Sequence, residues 1–232
     1  KTATFSSKNA KLPIGVRKIT SIDFDSADTL FVATQEGVVL TVKDEDADGY
    51  GDKIDLFASK DGAILGIAVD EKEDVKTVYI SGGGEVLKVE DYDFDYEPDA
   101  SRKILENLPS FIYSNHSNNG IVVGPDEKLY MAQGGTSGDG PETHPLGGTI
   151  LAFNNDGSDL EVYASGLRNA YDLVFTSSGL LVATDNSHEN DRALWYDEIN
   201  LIVKGGHYGY PKYAGNAPPE TGTQSPIHLL PM

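Results

Sequence analysis

A pattern that recurs every 45 to 54 residues is the feature that most constrains how this chain can fold. Each of four segments contains a short alternating strand, a turn with acidic residues or glycine, and two further strands rich in β-branched and aromatic residues. Their first strands share an apolar anchor, and the anchors lie 45, 54 and 52 residues apart: Ile22, Ile67, Ile121 and Leu173. Several short strands per unit at such a period are typical of β-propeller blades.

The spacing predicts three strands for each unit, which leaves a fourth to complete each blade. The predicted strands lie at 21–24, 30–33, 37–40, 66–69, 78–80, 85–89, 120–123, 129–132, 148–153, 172–175, 180–183 and 193–195. Turn signals at 124–127 and 177–179 separate first from second strands as hairpins require. No stretch shows sustained helical periodicity. The sequence therefore predicts an all-β fold, a β-propeller of four-stranded antiparallel blades, with a β-sandwich of coincidental spacing as the alternative.

About four blades fit into residues 1–232, which we take as a single propeller domain or a fragment of one. An open propeller leaves two sheet edges unpaired, so we expect a second chain or a further segment to complete it.

The composition of the chain excludes several classes of partner and site. With 18 basic against 37 acidic residues the net charge is −19, which argues against nucleic acid as a partner. The absence of cysteine excludes disulfides, thiolate zinc sites and a cysteine nucleophile. No apolar run is long enough for a membrane span.

The acidic segment 44–55 has the spacing of a calcium-binding loop. Oxygen donors fall at positions 1, 3, 5, 7, 9 and 12 of such a loop, and Gly49 stands at position 6, where the backbone turns sharply. The predicted calcium ligands are Asp44, Asp46, Asp48, the carbonyl of Tyr50, Asp52 and Asp55. Both flanks look like strands, so we expect a structural site that joins two strands of one blade. The alternative is a solvated acidic hairpin tip.

A second acidic run, 90–99, alternates acidic with aromatic residues. The simpler interpretation is an extended surface connection whose aromatic side chains pack against the blade. A further metal or partner site is the alternative.

Three motifs in the second half of the chain resemble a known family. They are Asn-His-Ser-Asn-Asn-Gly-Ile-Val-Val-Gly-Pro-Asp at 115–126, Gly-Leu-Arg-Asn-Ala-Tyr at 166–171, and Asp-Glu-Ile-Asn-Leu-Ile-Val-Lys-Gly-Gly-His-Tyr-Gly-Tyr-Pro at 197–211. Together they are similar to segments of the soluble quinoprotein glucose dehydrogenases and sorbosone-type aldose dehydrogenases. That family has a six-bladed β-propeller fold, which agrees with the interpretation of the repeats.

The resemblance implies a pyrroloquinoline quinone (PQQ) cofactor, an active-site calcium ion and a sugar or aldose substrate. His116 corresponds to the general base that takes a proton from the sugar hydroxyl, a role that suits an imidazole. Arg168 and Asn169 correspond to residues that contact the anionic cofactor, and Tyr208 to a position whose carbonyl helps to hold the calcium. His116, Arg168 and Asn169 each precede the first strand of a blade, so we expect them to converge.

Two further function classes stay open at this point: a non-catalytic, calcium-stabilised propeller for extracellular binding or assembly, and a calcium-dependent hydrolase of the lactonase kind. Millimolar calcium outside cells favours an extracellular or periplasmic location. Asn115 begins a formal glycosylation sequon, which would compete with a pocket at His116. His144, His188 and His228 fit no motif, and we expect them at the surface.

Overall fold

The computed structural model describes residues 18–110, 116–137, 140–186 and 196–231. Within these ranges the regular structure is almost entirely β-strand, and the one helical element is a short 3-10 helix at Pro219–Thr221. The strands form four sheets of four strands each. Four separate four-stranded antiparallel blades are the architecture of a β-propeller, so the predicted fold class is confirmed and the β-sandwich alternative is wrong. No helix in these ranges could cross a membrane.

The chain divides into two compact units, and the first, Lys1–Lys103, contains two blades. In both, neighbouring strands follow chain order, β1-β2-β3-β4 and β5-β6-β7-β8. The strands are β1 (Ile19–Phe24), β2 (Leu30–Thr34), β3 (Val38–Lys43), β4 (Lys53–Ser59), β5 (Gly66–Lys72), β6 (Val75–Gly82), β7 (Glu85–Asp91) and β8 (Ala100–Leu105).

The larger apolar cluster of the first unit is formed by side chains at alternating strand positions, and a second cluster at Leu30, Val32, Leu40 and Val42 packs on the other face of the first blade. Phe31 on β2 packs edge-on against Phe57 on β4, with ring centroids 5.2 Å apart. Ile67 and Ile80, paired across β5 and β6, belong to the same buried cluster. This cluster therefore joins the two blades of the unit.

One buried cation stands beside this core. The ammonium group of Lys76, on β6, lies 2.8 Å from Asp25 Oδ2 and 3.3 Å from Glu71 Oε1. The hydroxyl of Tyr96 donates to the same Asp25 oxygen at 2.8 Å, and the Tyr96 ring lies 3.7 Å from Lys76 Nζ. The lysine is 1% exposed, so the two carboxylates replace its lost hydration.

The second unit, Ile104–Met232, contains the other two blades. Their strand orders are β9-β10-β11-β12 and β13-β14-β15-β16. The strands are β9 (Asn118–Val123), β10 (Leu129–Gln133), β11 (Thr149–Phe153), β12 (Glu161–Ser165), β13 (Ala170–Phe175), β14 (Leu181–Asp185), β15 (Tyr196–Ile202) and β16 (His228–Pro231). Its apolar core includes Tyr130, Ile150, Leu167 and Leu173.

Turn chemistry sets the first hairpin of each blade in this unit. The amide of Gly124 donates to the carbonyl of Lys128 at 2.7 Å, and that of Thr176 donates to Leu180 at 2.8 Å. Gly179 has φ 80°, a left-handed conformation that glycine adopts without steric cost. Both predicted turns are confirmed. The third strand of the last blade is described at Tyr196–Ile202; the predicted positions 193–195 lie outside the described residues.

Candidate functional site

The predicted catalytic and cofactor residues lie where two first strands begin. His116 precedes β9, and Arg168 and Asn169 precede β13. All three are buried. The two strand beginnings are tied together by Asn119, whose side-chain amide donates to the carbonyl of Ala170 at 2.8 Å. The second unit therefore places the three residues in one neighbourhood, as the motif positions predict.

Two consecutive glycines fill the space between them. The amide of Gly135 donates to the carbonyl of Arg168 at 2.7 Å, while the carbonyl of Gly135 lies 3.2 Å from His116 Nδ1. A Cβ atom on Gly134 would lie 2.5 Å from Asn169 Oδ1 and 3.0 Å from His116 Cα. His116 and Asn169 can therefore approach each other this closely only because glycine, which has no side chain, stands at position 134.

The contact with Gly135 determines the tautomer of His116. A carbonyl oxygen can only accept a hydrogen bond, so Nδ1 carries the proton. In the neutral ring the lone pair then resides on Nε2, which is the nitrogen that can act as a base. The contact with the backbone thus leaves Nε2 as the ring nitrogen that can accept a proton.

Asn169 is oriented by a neighbouring amide. The side-chain nitrogen of Asn119 donates to Asn169 Oδ1 at 3.0 Å, so the oxygen of the Asn169 carboxamide points toward β9. Its backbone N–H is also engaged, because it donates to Asp185 Oδ1 at 2.7 Å. Asn169 is therefore fixed by both its backbone and its side chain.

Asp185, at the end of β14, is the acceptor that holds this segment. Its two oxygens receive the backbone amides of Asn169 and of Arg168, the latter at 3.0 Å. Burial raises the pKa of Asp185 to about 7. The nearby charge of Glu198 acts in the same direction, while the two amides and the Arg168 guanidinium oppose the shift. Such a perturbed acid in a cleft is a feature of functional sites.

A small cleft opens beside these groups. Its lining is polar and aromatic: Gly166, Arg168, Asp185, Asn186, Glu198, Tyr208, Tyr210, Tyr213 and Ala214. Among the described residues the Nε of Arg168 finds no hydrogen-bond acceptor, although it is buried. An unsatisfied guanidinium donor at a cleft is suited to an anionic or carbonyl-bearing ligand.

Tyr208 closes one side of this cleft and is 3% exposed. Its hydroxyl donates to the carbonyl of Leu201 at 2.5 Å and accepts from the amide of Val203 at 3.0 Å. The Tyr208 amide donates to Ser165 at 2.9 Å, which ties the residue to the end of β12. Hydrogen bonds at both ends therefore hold the Tyr208 backbone at the cleft.

The two acidic residues of the cleft, Asp185 and Glu198, are missing from the prediction. They face each other directly across β14 and β15. The amide of Gly215 donates to Glu198 Oε1 at 2.5 Å, and Asn200 donates to Glu198 Oε2 at 3.1 Å. Glu198 stands inside a motif that the sequence analysis quotes, but the motif does not show that its carboxylate faces the interior.

One sequence signal could have located Asp185. In each blade, a buried polar residue stands at or next to the end of the second strand: Thr34, Ser81, Gln133 and Asp185. In three blades this residue is uncharged, and in the fourth it is a carboxylate. Burying a charge is costly unless the charge has a role. A carboxylate at a position where the other blades have an uncharged polar residue therefore indicates a specialised site in this blade.

In the first unit, the predicted calcium loop joins β3 to β4. The carboxylates of Asp44, Asp46 and Asp48 are exposed and have oxygens within 4.8 Å of one another. The carboxylate of Asp52 accepts the amide of Glu45 at 2.9 Å. Three of the predicted ligands, Asp44, Asp46 and Asp48, thus lie close together, and a fourth, Asp52, is hydrogen-bonded to the backbone across the loop.

The last two predicted ligands have other surroundings. Asp55 lies on β4 opposite Thr41, and its carboxylate is 2.9 Å from Lys53 Nζ. Tyr50 is exposed at the loop tip, and its amide donates to Asp48 Oδ1 at 2.8 Å. Calcium binding by the whole set stays a prediction.

The second acidic run forms the loop between β7 and β8. Asp91, Asp93 and Asp99 have carboxylate oxygens within 4.8 Å of one another. Partial desolvation, followed by the charges of Asp95 and Asp99, raises the pKa of Asp93 above its usual value. This loop thus concentrates negative charge as the first one does.

The remaining histidine predictions have mixed outcomes. His144 and His228 are exposed, as expected. His188 and the sequon residue Asn115 lie outside the described residues.

The fold and the cleft define a β-propeller with a buried polar site at one end of adjacent blades. The family model for glucose/sorbosone dehydrogenases matches residues 17–226, and the chain therefore belongs to that family. The resemblance seen in the three motifs is confirmed.

Known relatives agree with this assignment. The chain is 31% identical over 144 residues to quinoprotein glucose dehydrogenase B of Acinetobacter calcoaceticus; the match covers 48% of this chain and 29% of that protein. It therefore spans less than a third of that curated relative.

Solved structures are similar in fold. One is an oxidoreductase described as a glucose dehydrogenase from Thermus thermophilus, with a TM-score of 0.73, 22% identity, and coverage of 94% of this chain and 71% of that one. Another is the PQQ-bound aldose sugar dehydrogenase of Streptomyces coelicolor, with a TM-score of 0.73, 21% identity, and coverage of 94% and 69%.

Proposed function

We propose that the protein is a PQQ-dependent sugar or aldose dehydrogenase in which His116 accepts the proton of the sugar hydroxyl. The observation that carries this proposal is the buried Arg168 Nε, which lines the cleft and has no acceptor among the described residues. Gly135 connects Arg168 to His116, because it donates to the Arg168 carbonyl and its own carbonyl contacts His116 Nδ1. Membership of the glucose/sorbosone dehydrogenase family supports it. This chain spans only part of the length of its relatives. The proposed activity is therefore that of the whole protein to which this chain belongs.

The residues at the cleft fit an anionic, carbonyl-rich cofactor. Arg168 offers a planar guanidinium with an unsatisfied donor, which suits carboxylate and quinone oxygens. Asn169 is held in place by Asp185 and Asn119, so its side chain can orient a bound group without a large loss of entropy. When bound, PQQ would supply the two-electron acceptor that no side chain provides.

His116 would remove the hydroxyl proton of the substrate through Nε2. The contact of Nδ1 with the Gly135 carbonyl keeps the ring in the tautomer that this step requires. After proton uptake the same carbonyl still accepts from Nδ1, so the imidazolium keeps its orientation.

A calcium ion would be held near Tyr208, as the resemblance implies. Two buried acidic side chains, Asp185 and Glu198, line the same cleft and offer the oxygen ligands that Ca²⁺ prefers. The backbone of Tyr208 is fixed there through its amide and hydroxyl. The loop 44–55 would hold a separate, structural calcium ion, and this requirement underlies the proposed extracellular or periplasmic location.

The test measures PQQ binding and turnover separately. Purified protein in Ca²⁺ is titrated with PQQ, and an artificial dye then reports aldose oxidation. His116→Ala is expected to lower kcat by about 10²–10⁴-fold, the scale of general acid–base catalysis, and to keep PQQ affinity. Arg168→Gln is expected to weaken PQQ binding itself. His144→Ala, an exposed histidine of the same unit, is the matched control.

Two outcomes would contradict the proposal. Equal turnover in wild type and His116→Ala would remove the proton-transfer role. Failure of PQQ to bind the full-length protein in excess Ca²⁺ would remove the dehydrogenase function and favour the calcium-stabilised binding propeller, and hydrolysis of a lactone would favour the lactonase alternative.

A further inference from the structure

The loop between β7 and β8 occupies the same place in the second blade as the predicted calcium loop does in the first. Residues 44–52 connect β3 to β4, and residues 92–99 connect β7 to β8. In the second loop, acidic residues stand at every other position from Asp91 to Asp99. Alternating carboxylates are the spacing with which calcium loops present their first ligands.

One oxygen in this loop lacks a partner. Asp91 is 0% exposed, and its Oδ2 accepts the amide of Tyr96 at 3.0 Å. Its Oδ1 is buried and has no hydrogen-bond partner among the described residues. Leaving a carboxylate oxygen both dehydrated and unpaired is costly, so such an atom in a native fold requires an explanation.

The surroundings of Asp91 point to a cation. The carboxylates of Asp93 and Asp99 are exposed, and both have an oxygen within 4.8 Å of one from Asp91. Three like charges at this separation repel one another. A cation between them would remove the repulsion and give the buried oxygen its partner.

The loop is anchored to the first blade, which keeps these carboxylates together. Tyr96 reaches into the unit, where its hydroxyl donates to Asp25 and lies 2.9 Å from Thr29 Oγ1. At the other end of the loop, Asp99 accepts the amide of Tyr92 at 2.7 Å. A site whose ligands are already fixed loses less entropy when it binds an ion.

We propose that Asp91, Asp93 and Asp99 form a second divalent-cation site, with calcium as its ion. All three donors are carboxylate oxygens, which are ligands of hard cations, and the irregular loop suits the flexible coordination of Ca²⁺ better than the strict octahedron of Mg²⁺. The two exposed ligands leave room for water to complete the shell. Consecutive blades would then carry the same kind of ion at the same hairpin.

The test uses a background in which the first loop is disabled, Asp46→Asn with Asp48→Asn. Calcium is titrated calorimetrically into metal-free protein of this background and of the same protein with Asp93→Asn and Asp99→Asn. The exposed pair is chosen because its replacement leaves the packing around Asp91 intact. We expect the second substitution to remove one molar equivalent of bound calcium. Far-UV circular dichroism verifies that both proteins are folded.

The control removes the same charge from the same blade. Glu73→Gln with Asp74→Asn, at the exposed β5–β6 hairpin, should leave the calcium stoichiometry unchanged. Terbium gives a positional readout, because Tb³⁺ at the site would be sensitised by Tyr92, which lies between two of the ligands in sequence. Tyr92→Phe should therefore lower the luminescence. An unchanged calcium stoichiometry in Asp93→Asn/Asp99→Asn, or terbium luminescence of undiminished intensity in that variant, would overturn the proposal.

Discussion

The acidic loop 44–55 of the first unit and the acidic pair Asp185 and Glu198 of the second lie in opposite environments. In the first unit, acidic side chains crowd the exposed tips of hairpins, where Asp44, Asp46 and Asp48 face water and one another. In the second, Asp185 and Glu198 are buried beside a cleft and accept backbone amides. Exposed clusters can recruit an ion from solution, whereas buried carboxylates shape a site and set its charge state. Acidic side chains are thus exposed at this hairpin of the first unit and buried beside the cleft of the second.

The units also differ in how they accommodate a buried charge. Lys76 is neutralised by the side chains of Asp25 and Glu71. Asp185 is held mainly by backbone amides, and its pKa rises because these amides compensate only part of its lost hydration. We therefore expect the stability of the first unit to depend on the ion pairs of Lys76, and the stability of the second unit to depend on the protonation of Asp185.

The largest effect is expected for Lys76→Met. The substitution keeps the side-chain volume but leaves Asp25 buried without its cation, and removal of one partner from a buried pair costs about 3–5 kcal/mol. Urea unfolding followed by circular dichroism would measure the loss. Lys204→Met breaks the exposed pair of Lys204 with Glu161 and should have no measurable effect. Similar stabilities for the two variants would show that the Lys76 network is not needed.

The second prediction concerns pH. Because the folded pKa of Asp185 is about 7 and its unfolded value is 3.8, the folded state holds this proton more tightly. The contribution of Asp185 to stability is therefore fully present below about pH 4 and is lost as the pH rises toward 7. At about 1.4 kcal/mol for each pKa unit, the loss is at most about 4 kcal/mol.

Thermal unfolding of metal-free protein between pH 4 and pH 8 would reveal this slope. Asp185→Asn, which cannot ionise, should flatten it, while Glu106→Gln at an exposed position should preserve it. An identical slope in wild type and Asp185→Asn would mean that Asp185 ionises normally in the folded protein.

The comparison also explains what the sequence could predict. Blades, turns and the loop 44–55 depend on local spacing, so periodicity and composition were sufficient to find them. Asp185 and Glu198 form one site only because β14 and β15 pair in a particular register, which no local pattern states. His116 and Arg168 were found through motif resemblance, yet their link through Gly135 needed the structure.

The third prediction tests how tightly the second unit is assembled around Gly134. In Gly134→Ala, the new methyl group would collide with Asn169 Oδ1 and the His116 backbone, and overpacking of this kind costs about 1–3 kcal/mol. PQQ affinity should fall with it. In Gly140→Ala the methyl group would meet nothing within 4 Å, so this variant is the matched control. Wild-type stability and affinity in Gly134→Ala would show that the site tolerates a wider separation.

The smallest effect is expected at the loop 44–55. Calcium should stabilise the first unit through Asp44, Asp46, Asp48 and Asp52, because without an ion their charges repel one another on a chain of net charge −19. An ion that binds only the folded form adds about 1.4 kcal/mol at a tenfold excess over Kd. Thermal unfolding with Ca²⁺ and with chelator would measure this in wild type and in Asp46→Asn with Asp48→Asn. Glu73→Gln with Asp74→Asn, which removes the same charge elsewhere, should keep the full calcium response. If the loop variant responds to calcium as strongly as wild type, the stabilising ion lies at another site, and the β7–β8 loop and the cleft near Tyr208 become the candidates.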